Sequence, residues 1–148
     1  MIVSLKDLQD EDRLKPHKTS REEIKNLLAV YERDIADSNI ESMSIDRRFA
    51  TAYSAALMMA RAALAASGYR ASGEGAHYTT IQSLAFTIGL DAETINKFNK
   101  FRKKRNVSDY EMAGMVSYQE VNEAISLAYN LHKHVFSWLD ANHPELIK

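Results

Sequence analysis

Apolar residues recur along this chain at helical spacing almost from end to end. Ser20-Arg21-Glu22-Glu23 has the form of a capping box, in which Ser20 caps and Glu23 reaches back. Ile24, Leu27, Leu28, Tyr31 and Ile35 follow it, which predicts a helix over 20–37. Asp37-Ser38-Asn39 breaks that pattern. A second helix is predicted from about Ser44 to Ser67, with Phe49, Tyr53, Ala56, Leu57, Ala60 and Leu64 on one stripe and Gly68 as its stop. Nine of the seventeen residues from Ala50 to Ala66 are alanine, which favours helix and lets a neighbour approach closely. Residues 69–76 read as a loop. A third helix is expected over 77–88, with Ile81, Leu84, Ala85 and Ile88 inward and Gly89 ending it. Asp91 caps a fourth, in which Ile95, Phe98 and Phe101 repeat. Residues 106–117 carry no long apolar pattern. A second capping box, Ser117-Tyr118-Gln119-Glu120, opens a last helix over 118–141, striped by Val121, Ile125, Ala128, Leu131, Val135 and Trp138.

Nowhere does the sequence alternate with period two for long enough to predict a strand. The expectation is therefore an all-α, up-and-down antiparallel bundle of four to five helices over 19–148. An irregular arm over 1–18, holding one short helical turn, precedes it.

Composition narrows the chemistry. The 148 residues are 45% hydrophobic and 26% charged, the range of a folded domain rather than a disordered chain. With no cysteine there is no disulfide, thiolate zinc site or cysteine nucleophile. A net charge of −1 gives no global field for nucleic acid, so any such binding needs a local patch. The run from Ala55 to Leu64 is interrupted by Arg61, and no membrane span is expected. Met1 is followed by acidic sequence without a signal-peptide pattern, so the expected location is cytoplasmic. No G-x-S-x-G turn, P-loop or dinucleotide fingerprint occurs. The histidines form no metal-binding spacing: His132 and His134 point apart on a helix, and His17 and His143 sit near the two ends. Neither a metal nor a cofactor is expected. Met58, Met59, Met112 and Met115 read as packing or dimer-contact residues.

The local patch is KFNKFRKKRNVSDY, from Lys97 to Tyr110, where six of the nine residues from Lys97 to Arg105 are basic. At about 100° per residue, Arg102 and Arg105 lie within roughly 40° of Phe98, whereas Lys97, Lys100, Lys103 and Lys104 point roughly 100° or more away. Two arginines thus continue the apolar stripe inward or toward a groove. A guanidinium placed there needs a carboxylate or a phosphate. Asp109 and Asp46 are the carboxylates at hand, and they would make the pair a structural staple. The functional alternative is a phosphate-reading pair, with Lys103 and Lys104 steering nucleic acid. His77, after the glycine loop, reads either as a local helix-start residue or as a contact at the rim of a ligand site.

Taken together, RRFATAYSAALMMARAALAASGYR and the later RKKRNVSDY resemble the HEPN (higher eukaryotes and prokaryotes nucleotide-binding) superfamily, over roughly residues 20–140. The resemblance implies an up-and-down helical bundle that dimerises and sets two motifs around one cleft. Many members are metal-independent ribonucleases, often toxins of toxin–antitoxin or defence systems, some with a small nucleotidyltransferase as partner. Others lack the active motif and bind RNA or nucleotides. The family motif is an arginine, four to six residues, then histidine. Carried onto this chain, Arg105 is the motif arginine, Asn106 its polar neighbour, and Tyr110 stands where histidine is expected. A phenol of ordinary pKa near 10 is a poor general base at neutral pH, though it can donate a hydrogen bond or stack on a base.

Three readings follow. The first is a HEPN-like RNA- or nucleotide-binding domain that is weakly catalytic or not catalytic. In the second, a metal-independent endoribonuclease uses Arg105, Asn106 and Tyr110 or His77. The third is a structural helical dimer with internal ion pairs. Met112, Met115 and Val116, outside the clear stripes, add apolar surface for a homodimer.

Overall fold

Four serines begin helices, each accepting a hydrogen bond from a backbone N–H in the first turn. Ser4 accepts from Asp7, Ser20 from Glu23, Ser44 from Arg47 and Ser117 from Glu120, at 3.1–3.2 Å. In this computed structural model, residues 1–110 and 114–148 are described, with the side chains of 107–110 excepted. The elements are α1 (Leu5–Asp10), β1 (Leu14–Pro16), α2 (Arg21–Ser38), α3 (Ile45–Ala66), β2 (Tyr69–Ala71), α4 (Ala76–Thr87), α5 (Ala92–Tyr110) and α6 (Tyr118–Asn142). A short 3-10 turn, Pro144–Leu146, follows. The chain is an all-α bundle with one tiny antiparallel sheet.

Only one of the two capping boxes closes on both sides. Around α6 the Glu120 carboxylate accepts the Ser117 N–H at 3.0 Å, completing the reciprocal pair. At α2 the Glu23 carboxylate instead accepts from Thr19 Oγ1 at 2.7 Å and meets His17 Nε2 at 2.8 Å. It therefore ties the helix start to the arm rather than to its own cap. Past the end of α3, Gly68 takes φ +94°, a left-handed conformation that glycine adopts without Cβ strain.

The alanine-rich α3 is the centre of the molecule. It packs most extensively on α2 and α6, and on its other side meets α4 and α5. Phe49, Ala52, Ala56, Met59, Ala60 and Ala63 are all fully buried. Small side chains on every face let helices close in all round, and Met58 and Met59 belong to this core. Among the described residues α3 is the one helix long and apolar enough to cross a bilayer, yet 72% of its most apolar stretch is buried inside the protein. Its apolar surface is thus used by the fold.

Two expectations need correction. The arm over 1–18 is a packed part of the bundle: Leu8, Leu14 and Leu64 form a second small cluster, covered by Ile2, Leu5 and Phe86. The region read as a loop contains β2, which pairs antiparallel with β1 in the register Leu14–Ala71, Lys15–Arg70 and Pro16–Tyr69. Three-residue strands are too short to show a period, and Pro16 sits where the short ladder ends. Near the other end of the bundle, α5 runs to Tyr110, well beyond its apolar repeat. Val116, counted above toward a dimer surface, is buried in its own core at 7% exposure, whereas Met115 is exposed. Met112 lies outside the described residues.

Candidate functional site

The basic segment of α5 lies against the front half of α3 and the start of α4. Phe98 and Phe101 anchor it. Phe98 meets Tyr53 edge-on at 5.8 Å, and Phe101 meets Phe49 at 5.5 Å with perpendicular rings. These buried rings set the rotation of the helix and so decide where each basic residue points.

Arg102 and Arg105 are half-buried, while Lys97, Lys100 and Lys103 are exposed. The lysines divide by partner. Lys97 reaches Glu123 at 3.2 Å and Lys104 reaches Glu120 at 3.5 Å, two ion pairs that strap α5 to α6. Lys100 and Lys103 have no carboxylate within 4.0 Å among the described residues. Lys103 thus offers an open charge, whereas the charge of Lys104 is held by α6. Asn106 is exposed one position beyond Arg105. The side chains of Asp109 and Tyr110 lie outside the described residues.

Arg102 is held by neutral groups. Its Nε donates to Asn99 Oδ1 at 2.8 Å, and its guanidinium carbon sits 5.4 Å from the Tyr78 ring centroid. Asp46, named above as a staple partner, is engaged elsewhere: its Oδ2 accepts the Gly114 N–H at 2.9 Å. Among the described residues no carboxylate neutralises Arg102.

Three arginines converge electrostatically on His77. His77 is exposed, yet partial desolvation of its ring by the surrounding protein lowers its pKa from the ordinary 6.5, and the charges of Arg105, Arg61 and Arg102 lower it further, in that order. His77 is therefore neutral at pH 7. Tyr53, whose hydroxyl is buried without a partner among the described residues, has its pKa pushed up to about 12 by burial, against an opposite pull from Arg102 and Arg105. The structure thus brings His77, Arg102 and Arg105 of the sequence-predicted set within electrostatic reach of one another.

It adds residues that the sequence did not single out. Tyr78, next to His77, lies under Arg102. It also lies under Arg13, whose guanidinium is 5.6 Å from the same ring and bonds Thr79 at 3.2 Å and Gln82 at 2.6 Å. Arg61 was visible as the lone charge in an apolar run, a usable signal, since a charge kept on a core helix needs a reason. Nothing local marks Arg13 and Tyr78, which meet only through the fold.

Arg61 and His77 also line a cavity of about 380 Å³, together with His17, Glu23 and Arg70. Glu23 is strongly engaged there. Burial raises its pKa, but hydrogen bonds from Thr19 and His17 outweigh this and hold it below its usual value. Among the described residues no cluster of three metal-ligating side chains forms.

Compared with known proteins, the chain matches no family model and no curated protein.

The pKa of His77 gives a direct check. An NMR titration of its ring should give a midpoint below 6.5, moving up toward 6.5 in Arg105→Gln. The unfolded chain takes up this proton near pH 6.5 while the folded chain resists it. Stability should therefore fall as the pH drops through 6.5 and below. A midpoint above 6.5 would mean that the guanidiniums do not act on this ring.

Proposed function

We propose that this chain is a HEPN-like domain that binds RNA, or nucleotides, through the guanidiniums at the end of α5 and does not cleave efficiently. Arg102 carries the reading. It is half-buried, aimed by the packed rings of α5, and among the described residues it meets an amide and an aromatic face rather than a carboxylate. An RNA phosphate supplies the anion it lacks. Tyr78, which lies beneath both Arg102 and Arg13, braces the guanidinium by cation–π contact. Arg105 stands one turn further along, with exposed Asn106 and Lys103 at the edge. Tyrosine in the expected histidine position removes the family's proton-handling group, which favours binding over catalysis. In this reading the chain works as a homodimer, as the HEPN component of a toxin–antitoxin or defence system alongside a nucleotidyltransferase.

The test is fluorescence anisotropy of a labelled single-stranded RNA with wild type and with an Arg102→Gln/Arg105→Gln double variant. Saturable binding by the wild type, lost by the folded double variant, supports the reading. Equal binding by both removes it.

His77 favours a second reading. A neutral imidazole beside Arg105 has the protonation state of a general base, and a metal-independent endoribonuclease would use the two together. RNA cleavage in EDTA by wild type, abolished in both His77→Gln and Arg105→Gln, would establish this reading. Absence of cleavage above a buffer control would end it.

A further inference from the structure

The cavity bounded by α2, α3, β2 and α4 shares His77 with the site at the end of α5 but is otherwise lined by different residues. Besides His17, which is bonded to Glu23, three positively charged or N–H-bearing side chains line it from three elements: Arg61 from α3, Arg70 from β2 and His77 from α4. Arg61 has as its hydrogen-bond partner the Met58 sulfur, at 3.7 Å, a weak acceptor for a guanidinium. In the register of the sheet, Arg70 stands directly opposite Lys15. Like charges paired across two strands repel. Among the described residues neither Arg61, Arg70 nor Lys15 has a carboxylate within 4.0 Å. The single acid in the lining, Glu23, is occupied by Thr19 and His17. Glu23 feels the charge of Arg61, but among the described residues no carboxylate makes an ion pair with Arg61, Arg70 or Lys15.

We propose that this cavity binds the phosphate group of a small phosphate monoester. A phosphate dianion offers several oxygens at once, which suits two guanidinium forks and an imidazole N–H arriving from different directions. Bound at the rim, it relieves the repulsion between Lys15 and Arg70. The cavity size lies within the range of small-molecule sites. Leu27, Leu64 and Tyr69 give it an apolar wall for the organic part of the ligand. Glu23, which would repel the phosphate, sits instead as an acceptor for a hydroxyl of that part. This proposal stands on the cavity and the sheet register, and does not depend on RNA binding at α5.

The experiment is isothermal titration of the full chain with ribose 5-phosphate, inorganic phosphate and ribose at constant ionic strength. The expected result is saturable binding of ribose 5-phosphate, weaker binding of inorganic phosphate and none of ribose. Arg61→Met and Arg70→Gln alter exposed side chains. Each should weaken ribose 5-phosphate by at least about tenfold, as expected for removal of one charged hydrogen-bonding partner, while melting like the wild type. The Arg102→Gln/Arg105→Gln variant should weaken ribose 5-phosphate less than either Arg61→Met or Arg70→Gln, because those two arginines reach the cavity only through their charges on His77. Lys15→Gln should raise the melting temperature of the free protein and shrink the stabilisation given by phosphate. Absence of saturable heat at millimolar phosphate probes overturns the proposal. So does unchanged affinity in both Arg61→Met and Arg70→Gln. Affinity that depends on Arg102 and Arg105 instead would place the phosphate at the α5 site and equally overturn the separate cavity.

Discussion

Phe98→Ala should destabilise the protein by about 3–5 kcal/mol, the usual cost of emptying a fully buried phenyl site. Phe98 has no exposed surface and meets Tyr53 edge-on. The variant would also remove the edge-on contact that the buried Tyr53 ring of α3 makes with it. Measured against a total stability of about 5–15 kcal/mol for a domain of this kind, the loss is large. Urea denaturation read by circular dichroism measures it directly. The effect should reach the site as well. Phe98 fixes the rotation of α5, so whatever population of the variant remains folded should bind RNA more weakly than wild type. A loss under about 1 kcal/mol would mean that α5 is not anchored through this ring.

The second large effect is on affinity. In the Arg102→Gln/Arg105→Gln variant, two phosphate contacts disappear. A hydrogen bond to a charged group contributes about 1.5–3 kcal/mol, so RNA affinity should drop at least about tenfold. Salt dependence separates this from a general loss of fold. Each phosphate contact to a single strand contributes about 0.7 to the slope of log K against log salt, so the slope should flatten by about 1.4. Lys104→Gln should leave the slope nearly unchanged, because Glu120 already holds that charge. Lys103→Gln should flatten it by one contact. A double variant with lowered affinity and an unchanged slope would indicate that the arginines act through the fold and not on phosphate.

How far the sequence discloses this molecule depends on the reach of each interaction. The helices are legible because their stripes are local: the spacing bounds the alanine-rich α3 to within a residue at each end, and the capping boxes at Ser20 and Ser117 mark the starts of α2 and α6. The inward turn of Arg102 and Arg105 also follows from local geometry, since they sit four and seven residues from Phe98. The β1–β2 pairing does not, for its partners lie over fifty residues apart and each strand has three residues. For the same reason the arm looked detached, although Leu8 and Leu14 are as buried as any residue in the bundle. The α5 helix outruns its apolar repeat, and beyond Phe101 the contact that ties it to α6, Lys104–Glu120, is polar and leaves no apolar stripe to read. At the site, a wheel finds the direction of Arg102 but not the Tyr78 ring beneath it. It also misdirects Lys104: pointing away from the core, this residue meets a neighbouring helix rather than solvent.

The central claim is that the end of α5, with Tyr78 beneath Arg102, is where nucleic acid meets this protein. The most direct measurement is an NMR titration of isotope-labelled protein with a short single-stranded RNA, following backbone and arginine side-chain signals. The account predicts that Arg102, Arg105, Asn106, His77 and Tyr78 shift together along one saturating curve, while Tyr129 and Phe136, exposed on α6, stay still. Shifts confined to α6, or none at these five residues at saturating RNA, would contradict it.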